Sequence, residues 1–220
     1  MARESSENTK RKFISEAYNM IQECGIENIT VRDLAKRVGV SSAALYRHFA
    51  DLEYVLVLAS IRFLDGYVKE IKDITLNGKN PVEVDIAAWK CFNKYVFQNP
   101  PLFLNLFWGK YSKELDYALQ EYFELYPLEA AFRAVAMLCC PLFVGNIEER
   151  DFMWMRRAAA EGLINYDDAA YISKIDCFIA KSLLMEHIQD YREPGVAERT
   201  AEECSALIEK TIRDRVISKK

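Results

Sequence analysis

Tyr46, Arg47 and His48 stand side by side at the end of the stretch VGVSSAALYRHF, after a run of residues too small to fill a core. A phenol, a guanidinium and an imidazole in a row can donate to phosphate oxygens and base edges, and a small-residue surface beside them lets a backbone approach a groove. Other chemistry has thinner support. The six cysteines, at 24, 91, 139, 140, 177 and 204, form no C-x-x-C pair, and the two histidines, His48 and His187, offer no matching ligand spacing. This speaks against a zinc site or a disulfide framework. Cys139 and Cys140 fall in the apolar run AVAMLCCPLF, where two small core residues explain them better than a thiol sensor. No nucleophile is paired with a base and no glycine-rich phosphate loop is present, so the expectation is no enzyme, no metal and no cofactor.

The elements that carry Tyr46, Arg47 and His48 belong to a chain of 220 residues, 51% hydrophobic and 28% charged, long enough for one large domain or a small one joined to a medium one. Its net charge is −4, but residues 1 to 52 hold eight Lys/Arg against seven Asp/Glu. That is a weak nucleic-acid footprint, so a DNA claim must rest on placement. The apolar run VLVLASIRFL is broken by Arg62, and the start MARESSENTKRK lacks a signal-peptide core. A cytoplasmic protein with no membrane partner is expected.

Apolar spacing at Phe13, Ile14, Ala17, Met20, Ile21 and Cys24 predicts a first helix over about 8–24, closed by Gly25. Thr30 with Asp33 three residues on predicts the start of a second, and Gly39 its end. Ser41 can cap a third, from Ser42 to about Phe49, so that the last two form a helix-turn-helix. On a wheel of the third helix Leu45 and Phe49 share the core face. Ala43 and Arg47 lie opposite with Ala44 beside them, and Tyr46 and His48 occupy the flanks. Such a helix suits the major groove, the flanking donors reaching phosphates. Thr30, at a helix N-terminus, favours a phosphate, and Arg32 can extend to a base edge. Lys10, Arg11 and Lys12 can lie along the backbone or in a minor groove. Each of these residues alone has a plain alternative as solvated surface or half-buried structure; their coincidence on one unit favours DNA contact.

Residues 9 to 58 resemble the DNA-binding domain of the tetracycline-repressor (TetR) family of bacterial transcription regulators. The matching residues are Gly25, Ile29-Thr30-Val31-Arg32-Asp33-Leu34-Ala35, Val38-Gly39-Val40-Ser41 and Leu45-Tyr46-x-His48-Phe49. The resemblance implies a homodimer whose third helices enter successive major grooves of a palindromic, double-stranded operator. It implies that Tyr46 and His48 hold phosphates, that Ser42, Ala43 and Ala44 face bases, and that Arg32 is a further base reader. Where the family commonly has a phosphate-binding lysine at the start of the fourth helix, this chain has Leu52, and Arg47 is the substitute expected. The expected domains are 1–52, reading DNA, and 53–220, binding an effector and dimerising.

From Asp51 onward every periodic segment is helical, so the fold class expected is all-α. The helices expected are one long one over about 52–74, then 81–98, a buried one at PLFLNLFW, and others over 112–126, 128–144, 148–163, 167–191 and 196–216. Twelve of the 27 aromatic residues fall between Trp89 and Tyr126. A dense core explains any one ring; together, apolar walls with few polar groups suit a small-molecule pocket. The candidate lining is Trp89, Phe92, Asn105, Phe107, Trp108, Tyr111, Phe123 and Met137, with Trp154 and Met155 as adaptable wall. The effector expected is small and largely apolar or aromatic, with its charge open. Ile172, Ile175, Ile179, Leu183 and Met185, with Cys204, Leu207, Ile208, Thr211, Ile212, Arg215 and Val216, form stripes on the last two helices. Packing inside their own domain is one use of these stripes; a four-helix dimer interface is the use the family implies. The function expected is a ligand-responsive regulator, a repressor by family tendency, released from its operator by the effector. The alternative is a DNA-binding factor with no small-molecule effector, constitutive or controlled by a protein partner.

Overall fold

The computed structural model describes residues 2–127 and 145–217, and every regular element among them is a helix. The segment expected to be helical over 128–144, with Met137, Cys139 and Cys140, lies outside the described residues.

Helix α1 (Ala2–Cys24) starts earlier than the apolar spacing predicts, and buries Phe13, Ile14, Ala17, Met20 and Ile21 as that spacing requires. Gly25 follows at φ 86°, a left-handed backbone that favours glycine. Helix α2 (Val31–Val38) begins where the Thr30 side chain accepts from the Asp33 amide, and ends on Gly39 at φ 80°. Helix α3 (Ser42–Tyr46) is shorter than expected, since residues 47–49 form a turn. Ser41 holds the N-cap position, but its side chain makes no capping hydrogen bond. Leu34, Leu45 and Phe49 meet Phe13 in one buried cluster, the Phe13 and Phe49 rings edge to face at 5.9 Å.

The long helix expected over 52–74 is divided. Helix α4 (Leu52–Ser60), whose N-cap Asp51 accepts from the Tyr54 amide, passes through a 3₁₀ stretch at Ile61–Leu64 into α5 (Asp65–Asn77). The tighter winding sets Phe63 4.9 Å from the Tyr18 ring of α1 and Arg62 4.2 Å over the same ring. Helix α6 (Pro81–Val96) opens with proline at a position that needs no N–H, and Asn80 accepts from Val82 and Glu83. The remaining helices are α7 (Pro100–Trp108), α8 (Leu115–Leu125) after a short 3₁₀ turn at Ser112–Glu114, α9 (Ile147–Ala160), α10 (Tyr166–Glu186) and α11 (Val196–Arg213). Asn146 and Glu149 form a reciprocal capping box at the start of α9.

Helix α4 joins the two halves by packing on α1, α7 and α8. Farther along, α6 packs on α5, α9 and α11, and α9 on α10. A single apolar cluster runs from Phe13 to Ile212, so the expected boundary at 52 and 53 falls on the cap of a buried helix and leaves no gap in the core. No helix among the described residues is long and apolar enough to cross a membrane.

Candidate functional site

The α2–α3 surface is open and carries cationic and hydroxyl groups. Thr30, Arg32, Ser41, Ser42, Ala43, Tyr46 and Arg47 are exposed, with Tyr46 58% accessible although its ring is large and apolar. Arg32 and Arg47 enter no ion pair among the described residues, whereas Arg37 of α2 is held in a two-pronged bond to Glu23 of α1. His48 is half-buried, its Nδ1 3.2 Å from Ser6 Oγ. Burial, then the charges of Arg47 and Lys10, hold its pKa below the usual histidine value, so near neutral pH it offers a neutral ring with one N–H.

Behind this surface the two halves are bolted together. Lys10 donates to Glu121 of α8 at 2.6 Å, and Tyr54 of α4 donates to the other oxygen of Glu121 at 2.7 Å. Arg11 donates through Nε to the Leu125 carbonyl at 2.6 Å. Asp51, besides capping α4, accepts from Tyr111 at 2.9 Å and from Lys110.

A cavity of about 60 Å³ lies among α5, α6, α7 and α9. Its walls are Tyr67, Ile71, Ala88, Trp89, Phe92, Phe107, Ile147 and Trp154, and its polar groups are Asp85, Arg150 and Asp151. Trp89 and Phe92 meet edge to face at 5.5 Å, and Phe92 and Phe107 at 5.1 Å. Arg150 lies 5.2 Å over the Phe107 ring, with Nη1 and Nη2 buried and without a hydrogen-bond partner among the described residues. Burial lowers its pKa to about 10, which leaves it cationic at neutral pH.

Asp85, Asp151 and, behind them, Asp176 of α10 bring carboxylate oxygens within 4.8 Å of one another. This buried trio has spacing compatible with a cation. Trp89 Nε1 donates to Asp151 Oδ1 at 2.6 Å. Burial raises all three acids, and the Asp151 charge adds to the effect on Asp85 and Asp176; Asp176 is pushed up to about 9.

The model of the bacterial regulatory proteins of the tetR family matches residues 13–54, which span α1 to the start of α4. Residues 13–54 thus carry the DNA-binding unit of the tetR family. An HTH-type transcriptional regulator of Staphylococcus aureus strain USA300 is 35% identical over 105 residues, 44% of this chain and 56% of that relative, so the match spans little more than half the length of the relative. Among solved structures, the TetR-family repressor FadR of Thermus thermophilus, in complex with lauroyl-CoA, superposes with TM-score 0.56 at 15% identity, covering 90% of this chain and 92% of that one. RolR in complex with resorcinol gives TM-score 0.53 at 11% identity over 98% of each chain. At these identities the likeness concerns the fold.

Several sequence expectations need correction. Ala44, assigned to the DNA face, is 2% exposed, because on so short a helix it turns inward with Leu45. Lys10 and Arg11 are committed to Glu121 and to Glu7 and Leu125, and are half-buried. Of the expected pocket residues, Trp89, Phe92, Phe107 and Trp154 line the cavity. Trp108 backs it, 6.2 Å from Phe92. Asn105 is not on it, although its amide nitrogen is buried without a partner. Tyr111 serves the Asp51 junction, Phe123 is buried against Tyr122, Met155 is buried off the cavity, and Met137 lies outside the described residues.

On the last two helices, Ile208 and Ile212 are fully buried on the side of α11 that packs against α6 and α10, so they cannot meet a second subunit. Ile175, Ile179 and Leu183 are half-buried, and Leu207 is exposed. The outward apolar stripe is instead Tyr171, Phe178 and Met185, seven residues apart on α10. The sequence reading missed Arg150 and the acid trio, although each acid left a signal. Asp85 falls in the stripe Val82, Trp89, Phe92 and Val96; Asp151 in that of Met155 and Ala158; Asp176 in that of Ala169, Ala180 and Leu184.

Proposed function

We propose that the chain is a ligand-responsive, DNA-binding transcriptional regulator that works as a homodimer in the cytoplasm. The observation that carries this reading is the open surface of α2 and α3, with unpaired Arg32 and Arg47 and exposed Tyr46, Ser42 and Ala43 on a unit matched by the tetR family model. Inserted in a major groove, α3 sets Ser42 and Ala43 against base edges while Tyr46, Arg47 and the first turn of α2 at Thr30 meet phosphates. Arg32 extends to a base edge. Tyr171, Phe178 and Met185 on α10, with Leu207 on α11, form the dimer face, which in a second copy meets its own mirror in sequence.

The effector enters the aromatic cavity among α5, α6, α7 and α9. Ligand binding by regulators of the same fold, lauroyl-CoA in FadR and resorcinol in RolR, supports an effector of apolar or aromatic body. Helix α5 gives one wall, and through the 3₁₀ stretch it continues into α4, which is tied to α1 and α8. A ligand that favours one setting of α5 thereby shifts the spacing of the two α3 helices, and release from the operator follows. The test is selection of a palindromic site from random duplexes, followed by fluorescence anisotropy with and without compounds that raise Tm. A selected site bound by a dimer at near-physiological salt supports the proposal; failure to enrich any duplex overturns it.

A further inference from the structure

Among the described residues, Arg150 is the one charged group of the cavity with no partner and no route to neutrality. It is 6% exposed, Nη1 and Nη2 have no hydrogen-bond partner, and it enters no ion pair among the described residues. Its face rests on Phe107, so the ring quadrupole offsets part of the charge while the N–H groups stay unanswered. A buried, unpaired cation costs several kcal/mol, and an arginine cannot shed its proton at neutral pH.

The acids nearby do not answer it. Asp85 and Asp151 line the same cavity, but Asp151 accepts from Trp89, and three carboxyls within 4.8 Å of one another hold protons in place of ionising together. Tyr67, Glu149 and Asp116 lie close enough to favour the charged form of Arg150 without contacting Nη1 or Nη2. What the guanidinium fits is a planar, two-oxygen anion able to take both terminal nitrogens at once. The surrounding surface is aromatic, from Tyr67, Trp89, Phe92, Phe107 and Trp154, and the space of about 60 Å³ takes a single ring only when its walls move apart.

We propose that Arg150 seats the carboxylate of a small, single-ring aromatic acid whose ring lies among Trp89, Phe92, Phe107 and Trp154. This rests on the cavity being the effector site. Asp85 and Asp151, holding protons, carry no charge with which to compete for Arg150.

The experiment uses the full chain and three compounds of nearly equal shape: benzoate, neutral benzamide and cationic benzylamine. Binding is followed by Tm and by the tryptophan emission to which Trp89 and Trp154 contribute. Benzoate is expected to bind about tenfold or more tighter than either analogue. Arg150→Met is expected to remove that preference, leaving benzamide affinity within about threefold, and Arg150→Lys to keep part of it, a point charge without the fork. Should Arg150→Met fail to fold, the ranking of the three compounds on the unaltered protein decides alone. Saturable binding in which benzamide or benzylamine equals or exceeds benzoate overturns the Arg150 seat and leaves the cavity as an effector site. Saturable binding by none of the three overturns the seat, and a negative screen of larger apolar compounds would then remove the effector reading as well.

Discussion

Lys10 Nζ lies 2.6 Å from Glu121 Oε1, so that the first helix of the DNA-reading unit is pinned to α8 by a side chain that could otherwise have reached a phosphate. The same glutamate takes the Tyr54 hydroxyl, and Asp51 takes Tyr111 of the turn after α7. These polar ties run from α1 and the start of α4 to α8 and the turn after α7. They are partly exposed, so their worth for stability is about 1 kcal/mol or less, and their importance lies in holding orientation. Glu121→Gln is expected to lower Tm by only a few degrees. It should also cut the factor by which effector weakens operator binding by about threefold or more. Paired anisotropy titrations, with and without effector, measure this; an unchanged factor would mean that the signal travels by α4 packing alone.

The DNA face makes its own prediction. Tyr46→Phe keeps the ring and removes one donor to phosphate, so affinity should fall by a similar factor, about three- to tenfold, on every duplex tested. Arg32→Ala should relax preference at particular base pairs, by about 1–3 kcal/mol at each. Ala44→Leu acts differently: the site is 2% exposed, and added volume there disturbs the packing of Leu45 and Phe49 and lowers Tm before it alters any DNA contact. Equal losses for all three variants on all sequences would dissolve the assignment of separate roles.

Why the helix-turn-helix was legible and the pocket was not follows from the range of the interactions that build each. Thr30, Gly39 and Asp51 act on their own or adjacent turns, so their types announce helix ends from local sequence. Tyr46 and Arg47 are exposed because Leu45 and Phe49 are core, a relation contained in five residues. Even there, Ala44 was misplaced, since a helix of five residues does not present the face that a longer wheel draws. The pocket needs α5, α6, α7 and α9 brought together across more than eighty residues, and no periodicity says which helix faces which. Aromatic density found three lining residues and pointed at Tyr111 and Phe123, which serve other contacts. Asp85, Asp151 and Asp176 were the better signal, because a carboxylate in an apolar stripe has a reason to be buried. The same limit explains the outward stripe, where apolar residues at helical spacing mark two faces of α10 and only the fold tells which one α11 covers.

That last point is directly testable. Phe178 is 53% exposed and Ile208 fully buried, though the stripes to which they belong look alike in sequence. Phe178→Glu is expected to give a folded chain with unchanged helical circular dichroism whose mass by light scattering is that of a monomer at micromolar concentration. Ile208→Glu places a charge in the core and should unfold the protein or lower its stability by about 3 kcal/mol or more. A Phe178→Glu variant that remains dimeric would move the interface to another face.

The acid trio makes stability depend on pH in a direction opposite to that of most paired carboxylates. Asp176 has no hydrogen-bond partner for either oxygen, and burial with the Asp151 charge pushes its pKa up to about 9, against the opposing charge of Arg215. In the unfolded chain it titrates near 3.8. Between those values the folded state keeps a proton that the unfolded state has released, so raising the pH through that window removes stability, by at most about 1.4 kcal/mol per pH unit for this group. Below about 4 the effect is absent, because both states are protonated. Asp85 and Asp151 are raised as well and add to the same slope. Asp176→Asn keeps the shape of the neutral acid and cannot ionise, so its stability relative to the unaltered chain should grow steadily from pH 5 to pH 8. Urea unfolding at several pH values, with constant ionic strength, measures the difference. Two parallel stability curves would show that Asp176 releases its proton as readily in the folded core as in water.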